Sequence, residues 1–116
     1  MSMDCLFCRI AAGEIPAKKA YEDEEFLVFH DIAPRAPLHL LMIPKIHIAS
    51  LMEAQAAHAP LLGRMMARAG ALAAENGSPD GFRLIVNNGR VGRQEVYHLH
   101  MHLMGGPSPL GASATF

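Results

Sequence analysis

The sequence predicts one α+β domain spanning residues 1–116, built from five short strands and two helices. Three observations carry that expectation. Most apolar runs are short, mix β-branched with aromatic or long aliphatic residues, and stop at Gly, Pro, Asn or Asp. One segment alone changes to apolar spacings of three and four. Nothing repeats, and no Gly/Ser/Pro linker separates two apolar halves.

Taken in order, Leu6, Phe7 and Ile10 suggest a short first helix from about Cys5 to Ala12, closed by Gly13 with Pro16 beyond it. Lys19 to Glu22 and Glu25 to His30 flank the acidic turn Asp23-Glu24 and read as a hairpin. His39 to Ile43 runs between Pro37 and Pro44, which bound it as a third strand because proline disrupts a sheet ladder. From about His58 to Asn76, Leu61, Leu62, Met65, Ala69, Leu72 and Ala73 form one apolar face with Arg64, Arg68 and Glu75 opposite. Pro60 suits its first turn, where a missing N–H does no harm, and Asn76-Gly77 closes it. His58, at an alanine-rich helix start, reads as surface. Phe82 to Asn87 and His98 to Met104 are the fourth and fifth strands, and a Pro/Gly-rich tail follows Gly105.

Composition narrows the function. The 10 Lys+Arg balance 11 Asp+Glu, with no basic run, which disfavours nucleic acid while leaving room for a pocket that takes one small anion. Apolar stretches such as Leu40 to Ile43 fall far short of the roughly 20 residues a bilayer needs, so no membrane partner is expected. The opening MSMDCLFCRI carries Asp4 and Arg9 where a signal peptide would be apolar, which points to the cytoplasm. Cys5 and Cys8 are too close to staple a secreted scaffold, and their spacing suits metal binding or redox chemistry.

The chemistry concentrates in His98-Leu99-His100-Met101-His102. On a strand, side chains alternate, so the three imidazoles should share one face and Leu99, Met101 and Leu103 the other. A lone histidine is usually a satisfied core or surface residue. Three at period two place titratable groups within a few ångströms, for either a metal site or nucleophilic catalysis by one imidazole.

Gln94 to Met104 resembles the His-x-His-x-His signature of the histidine triad (HIT) family, in its nucleotide-binding, nucleoside phosphoramidase branch. Leu6-Phe7 with Ile10 and Glu14-Ile15-Pro16, Phe29-His30-Asp31-Ile32, Ala36-Pro37-x-His39 and Ile43-Pro44-Lys45-x-His47-Ile48 match that branch in order and spacing. The resemblance implies a five-stranded, mainly antiparallel sheet with one long and one short helix, and a homodimer with the tail near the partner's site. It implies hydrolysis of purine nucleoside phosphoramidates, such as adenylyl-amine or adenylyl-lysine, through a nucleotidyl-histidine. His100 would be the nucleophile, its tautomer fixed by a carbonyl at His98, with His102 a donor beside the phosphate and His39 completing the network. Phe7, Phe29, His30, Asp31 and Ile32 match the nucleoside pocket, with Asp31 accepting from ribose hydroxyls. For Phe7 and Phe29 taken singly, core packing explains them as well.

Asn87 matches a phosphate-binding residue, although Asn87-Asn88-Gly89 is also a good turn. Gly89 to Glu95 matches a loop whose backbone N–H groups cradle phosphate, with Arg93, Gln94 and Glu95 at the nucleotide. Many relatives carry Gly and Ser where this chain has Arg93 and Glu95. Members of bacterial type carry Gln-Glu, so the difference bears on the leaving group. Cys5 and Cys8 lack two ligands for a zinc tetrahedron, and His47 and His98 are offered by the chain, as in some family members. Such zinc would be structural, and no cofactor is required for the chemistry. A dinucleoside polyphosphate hydrolase uses the same nucleophile, and a non-catalytic nucleotide-binding adaptor would keep the pocket without turnover.

Overall fold

The structure is a computed structural model and describes residues 5–111. The elements are α1 (Leu6–Ala11), β1 (Lys19–Glu22), β2 (Phe26–His30), β3 (Leu38–Pro44), α2 (Ala59–Glu75), β4 (Arg83–Val86) and β5 (Met101–Gly105), with a 3-10 turn at Ala56–His58 leading into α2. The five strands form one sheet in the order β1-β2-β3-β5-β4. Every neighbouring pair is antiparallel.

Local chemistry sets the boundaries. Asp23 Oδ1 accepts from the backbone N–H of Glu25 at 2.7 Å and of Phe26 at 2.9 Å, an Asx turn that reverses the chain between β1 and β2. Pro44 stands inside β3, opposite Phe26, where the sequence places the strand end at Ile43. A proline is tolerated there because it is the last residue of the strand, where its missing N–H breaks no further ladder bond. His58 is half-buried at the surface, where its Nδ1 accepts from the Gln55 backbone N–H at 2.9 Å and caps the turn that leads into α2. The solvent face of α2 is tied down as well, since Arg64 pairs with Glu25 and the Arg68 guanidinium lies 4.2 Å from the Tyr21 ring centre.

Both faces of the sheet are covered. On one, Val28, Leu40, Met42, Met101 and Leu103 pack against Leu61, Met65, Ala69 and Leu72 of α2 in a dry core. On the other, Leu27, Phe29, Leu41 and Ile43 pack against Phe7 and Ile10 of α1. The fifth strand begins at Met101, so His98, Leu99 and His100 lead into it rather than lying within it. Alternation survives the shorter strand. Met101 and Leu103 face α2, while His102 sits opposite Leu41 on the α1 face.

Gly105 ends β5 against Ser78, whose Oγ donates to Gly81 O at 2.5 Å and accepts from the Gly106 N–H at 2.9 Å. A Cβ at position 105 would lie 2.1 Å from that oxygen and 2.7 Å from Ser78 Cβ. Gly105→Ala therefore has to displace Ser78 and break both bonds, and should lose about 1–3 kcal/mol in urea denaturation. Wild-type stability in that variant would show that the loop yields without cost.

Candidate active site

His100 and His102 lie on the face of the sheet that α1 covers only in part, their ring centres 5.0 Å apart. His39, from β3, completes the group. Beside them is a cavity of about 300 Å³ with an apolar wall of Leu6, Phe7, Ile10, Phe29 and Leu41 and polar groups from Asp31, Arg35, Glu95 and the three histidines. A second cleft of about 280 Å³, between Asp80–Arg83 and Gly105–Leu110, contains no histidine or cysteine.

The hydrogen bonds decide which ring nitrogen carries each proton. His98 O can only accept, so the 2.8 Å contact with His100 Nδ1 means that Nδ1 donates and Nε2 keeps a lone pair. His39 Nδ1 accepts from the Arg35 backbone N–H at 3.0 Å, so the proton of neutral His39 is on Nε2. That nitrogen donates to His102 Nδ1 at 2.9 Å and lies 3.5 Å from Asp31 Oδ2. His102, with Nδ1 accepting, carries its proton on Nε2. Burial pushes all three imidazoles below their ordinary range, and for His102 the neighbouring His100 and His39 add to it, taking it down to about 4. All three are neutral at pH 7.

The remaining sequence candidates fall into place around this centre. Phe7 meets His100 edge-on, centres 5.1 Å apart, and Phe29 at 5.7 Å. Asp31 lines the cavity, with Oδ1 accepting from the Ala33 N–H at 2.9 Å, and Ile32 stands fully exposed at its mouth. His30 ends β2, half-buried and shifted down by burial, outside the cavity lining. Glu95 lines the cavity and lies 3.6 Å from Arg35. Arg93 is exposed and holds a left-handed φ of 61°, a conformation that glycine adopts without strain.

Gln94 turns inward. Its Nε2 donates to Ala49 O and Val96 O at 2.7 and 2.9 Å, and its Oε1 accepts from the Gly89 N–H at 2.8 Å. Backbone N–H groups of Gly92, Arg93 and Gln94 are likewise donated to Asn88 O, Arg90 O and Gly89 O. The loop is thus held as a closed turn, and those amides point into it instead of forming the open cradle expected from sequence. Asn88 does the turn bonding, accepting from the Leu51 N–H and donating to Val86 O. The Asn87 amide makes no such bond among the described residues and is half-exposed. Arg35, Leu41 and Val96 also line the cavity and escaped sequence reasoning. No local pattern in the sequence marks Arg35 or Val96 for the cavity.

His98 belongs to a different cluster. Its Nε2 donates to Pro44 O at 2.7 Å, which leaves Nδ1 as a lone pair aimed at Cys5 Sγ (3.3 Å), Cys8 Sγ (3.5 Å) and His47 Nδ1 (3.3 Å). Cys8 Sγ is 3.3 Å from His47 Nδ1 as well. Zinc bonds of about 2.0–2.1 Å to nitrogen and 2.3 Å to sulfur give tetrahedral edges of roughly 3.3–3.8 Å. Four of the six donor pairs stand 3.3–3.5 Å apart and all four atoms lie within 4.8 Å of one another, and the Pro44 bond selects the His98 tautomer that can ligate. The residues fit zinc.

Residues 4–115 match the family described as scavenger mRNA decapping enzyme C-term binding. The chain is 46% identical over 112 residues to the purine nucleoside phosphoramidase of Escherichia coli K12, covering 96% of this chain and 93% of the relative. It is 42% identical over 105 residues to the 14 kDa zinc-binding protein of Brassica juncea, covering 89% and 93%. A solved HIT family hydrolase from Legionella pneumophila has the same fold, with a TM-score of 0.86 at 49% identity over 89% of this chain and 93% of that one.

Neutral burial of these imidazoles links stability to pH. An unfolded histidine takes up a proton near pH 6.5, whereas native His102 resists until about 4, so between those values the unfolded chain binds more protons. The contribution is complete above about pH 6.5 and is lost as pH falls toward 4. His102→Gln should flatten that decline by up to about 1.4 kcal/mol per pH unit in urea titrations run from pH 7 to 4. An unchanged slope would mean that His102 is not held neutral by the fold.

Proposed function

The chain belongs to the histidine triad family of hydrolases, and we propose that it hydrolyses purine nucleoside phosphoramidates, in which AMP is joined through nitrogen to an amine such as lysine, to AMP and the free amine. The observation that carries this reading is the tautomer of His100. With Nδ1–H donated to His98 O, Nε2 holds a lone pair beside a cavity of nucleotide size. The E. coli relative, a purine nucleoside phosphoramidase, supports the substrate class.

The base lies against Leu6, Phe7, Ile10 and Phe29, and the ribose hydroxyls donate to the Asp31 carboxylate. Ile32 stands exposed at the mouth of this end of the pocket, and His30 precedes Asp31 in the chain outside the lining. His100 Nε2 attacks the α-phosphorus, the P–N bond to the amine breaks, and the departing nitrogen takes one proton from solvent. Water then attacks the nucleotidyl-histidine, the bond from phosphorus to His100 breaks, AMP leaves and one proton returns to solvent. One water is consumed overall. His102 Nε2–H is a hydrogen-bond donor at the phosphoryl group or the departing nitrogen, and His39 holds it in that tautomer. Asn87 offers its amide to a phosphoryl oxygen without repelling it. Gln94 positions the loop, Glu95 faces the leaving group, and Arg93 lies at the loop's outer edge.

Zinc held by Cys5, Cys8, His47 and His98 is structural, since four protein ligands leave no open position for substrate. The chain works as a single domain and a homodimer, for which β4 offers a sheet edge of four half-buried residues. The C-terminal tail near the partner's site runs into residues 112–116, outside the described residues. Two free thiols placed as ligands suit the reducing cytoplasm. No helix among the described residues is long and apolar enough to cross a membrane.

The direct test is steady-state hydrolysis of adenosine 5′-phosphoramidate beside diadenosine polyphosphate. His100→Asn should still bind AMP and lose turnover by about 10³-fold or more. Near-normal turnover would remove His100 as nucleophile. Preference for the dinucleotide would move the protein to dinucleoside polyphosphate hydrolysis, and binding without hydrolysis would make it an adaptor. Asn87→Ala should slow phosphoramidate turnover about tenfold with the nucleophile intact, and an unchanged rate would return Asn87 to the turn.

A further inference from the structure

The carbonyl that orients His100 belongs to the peptide unit between His98 and Leu99, and both ends of that unit lead to the cysteine-histidine cluster. Its oxygen accepts from His100 Nδ1–H at 2.8 Å, and its N–H, on Leu99, donates to Ile48 O at 2.7 Å. His98 is itself a member of the cluster through Nδ1, and Ile48 directly follows His47, another member. The same peptide is therefore gripped from two of the four ligand positions. A third connection runs through α1. Cys5 Sγ caps the helix by accepting from the Cys8 N–H at 3.3 Å, and Phe7, between the two cysteines, sets its ring edge-on to both His98 (6.0 Å) and His100 (5.1 Å).

On the reading of His100 as nucleophile, we propose that the Cys5–Cys8–His47–His98 cluster, when it holds a divalent cation, positions that nucleophile by locking the 98–99 peptide and thereby the His100 tautomer. Among the described residues the His98 ring makes one hydrogen bond outside the cluster, to Pro44 O. Without a cation, two cysteine sulfurs and two imidazole nitrogens converge on one point with no atom bonded to all four. Contacts among these four side chains alone restrain far less than bonds to one shared cation, so the His98 ring and the segment around Ile48 loosen together. The carbonyl then no longer selects Nδ1–H on His100, and part of the population presents a protonated Nε2 to the cavity. The loss falls on the chemical step, because the apolar wall that binds the base does not depend on the tautomer.

The test uses full-length wild type, chelator-treated and then reloaded with Zn²⁺ alone, beside Cys8→Ser and His47→Ala. His47 is exposed, so its removal leaves the core intact if the cysteine variant folds poorly. Nitrogen-15 NMR of labelled histidine reads the His100 tautomer directly, with no substrate present. Zinc-loaded wild type should take up about one ion per chain and show His100 in the Nδ1–H form alone. Metal-free wild type and both variants should show a tautomer mixture, with kcat down about tenfold and KM within about twofold. Zinc should restore wild type and not Cys8→Ser. An identical His100 spectrum and kcat with and without zinc would overturn the proposal, as would failure to take up zinc, or a joint loss of kcat, KM and circular dichroism. Should zinc-loaded wild type hydrolyse no phosphoramidate, the substrate reading falls while the tautomer spectrum still decides the coupling.

Discussion

The proton on His100 Nδ1 is committed to the carbonyl of His98, and much of the rest of the molecule serves that single bond. A buried imidazole with a free choice of tautomer would spend part of its time presenting N–H to the cavity. The carbonyl removes the choice because it can only accept. For it to do so, residues 98 to 100 must approach β5 in one conformation. The Leu99 N–H bond to Ile48 O and the His98 ring bond to Pro44 O hold them there. Desolvation does the complementary work of keeping the imidazoles neutral, so the lone pair is present at pH 7.

The cavity follows from an imbalance between the two faces of the sheet. The 17-residue α2 is long enough to cover one face, and its Leu61, Met65, Ala69 and Leu72 make that side dry. The other face receives α1, whose six residues span only about 9 Å. Phe7 and Ile10 cover the end near β2 and β3, and the stretch over Leu41, His100 and His102 is left as a pocket. Nothing polar is stranded by this arrangement. Among the described residues no buried side-chain nitrogen or oxygen lacks a partner, so the histidines are placed in apolar surroundings without the cost of an unpaired group.

Period-two spacing made the histidine face legible in the sequence, and short apolar runs stopped by Gly, Pro, Asn or Asp made the strands so. Both are short-range consequences of strand geometry. The start of β5 was less legible because His98-Leu99-His100 is patterned like a strand while its bonds go to Ile48 O in a loop and, through the His98 ring, to Pro44 O at the end of β3, and not to a ladder. Gln94 shows a different limit. Its residue type suits either a ligand contact or a loop clamp, and only the positions of Ala49, Val96 and Gly89 assign its three hydrogen bonds. The match of Gly89 to Glu95 with a phosphate loop implied an open cradle, whereas the N–H groups of Gly92, Arg93 and Gln94 close the segment on itself. Arg35 and Val96 carry no local pattern at all. They reach the cavity through the way the segment after β2 and the segment before His98 fold over the same face.

His100 and His102 are the same side chain two residues apart on the same face, and they carry opposite tautomers. For His100 the deciding partner is a backbone carbonyl in its own segment, which draws the proton to Nδ1. For His102 it is His39 from the neighbouring strand, whose own Nδ1 is occupied by the Arg35 N–H and which therefore donates to His102 Nδ1. One imidazole consequently offers a lone pair at Nε2 and the other an N–H at the same atom, with ring centres 5.0 Å apart. A lone pair and a hydrogen-bond donor are obtained without any difference in residue type or any charge. Reversing either role requires no change at His100 or His102 themselves, only a change in what each Nδ1 meets. The specificity of the site for its chemistry thus resides in the backbone of residues 35 and 98 as much as in the imidazoles.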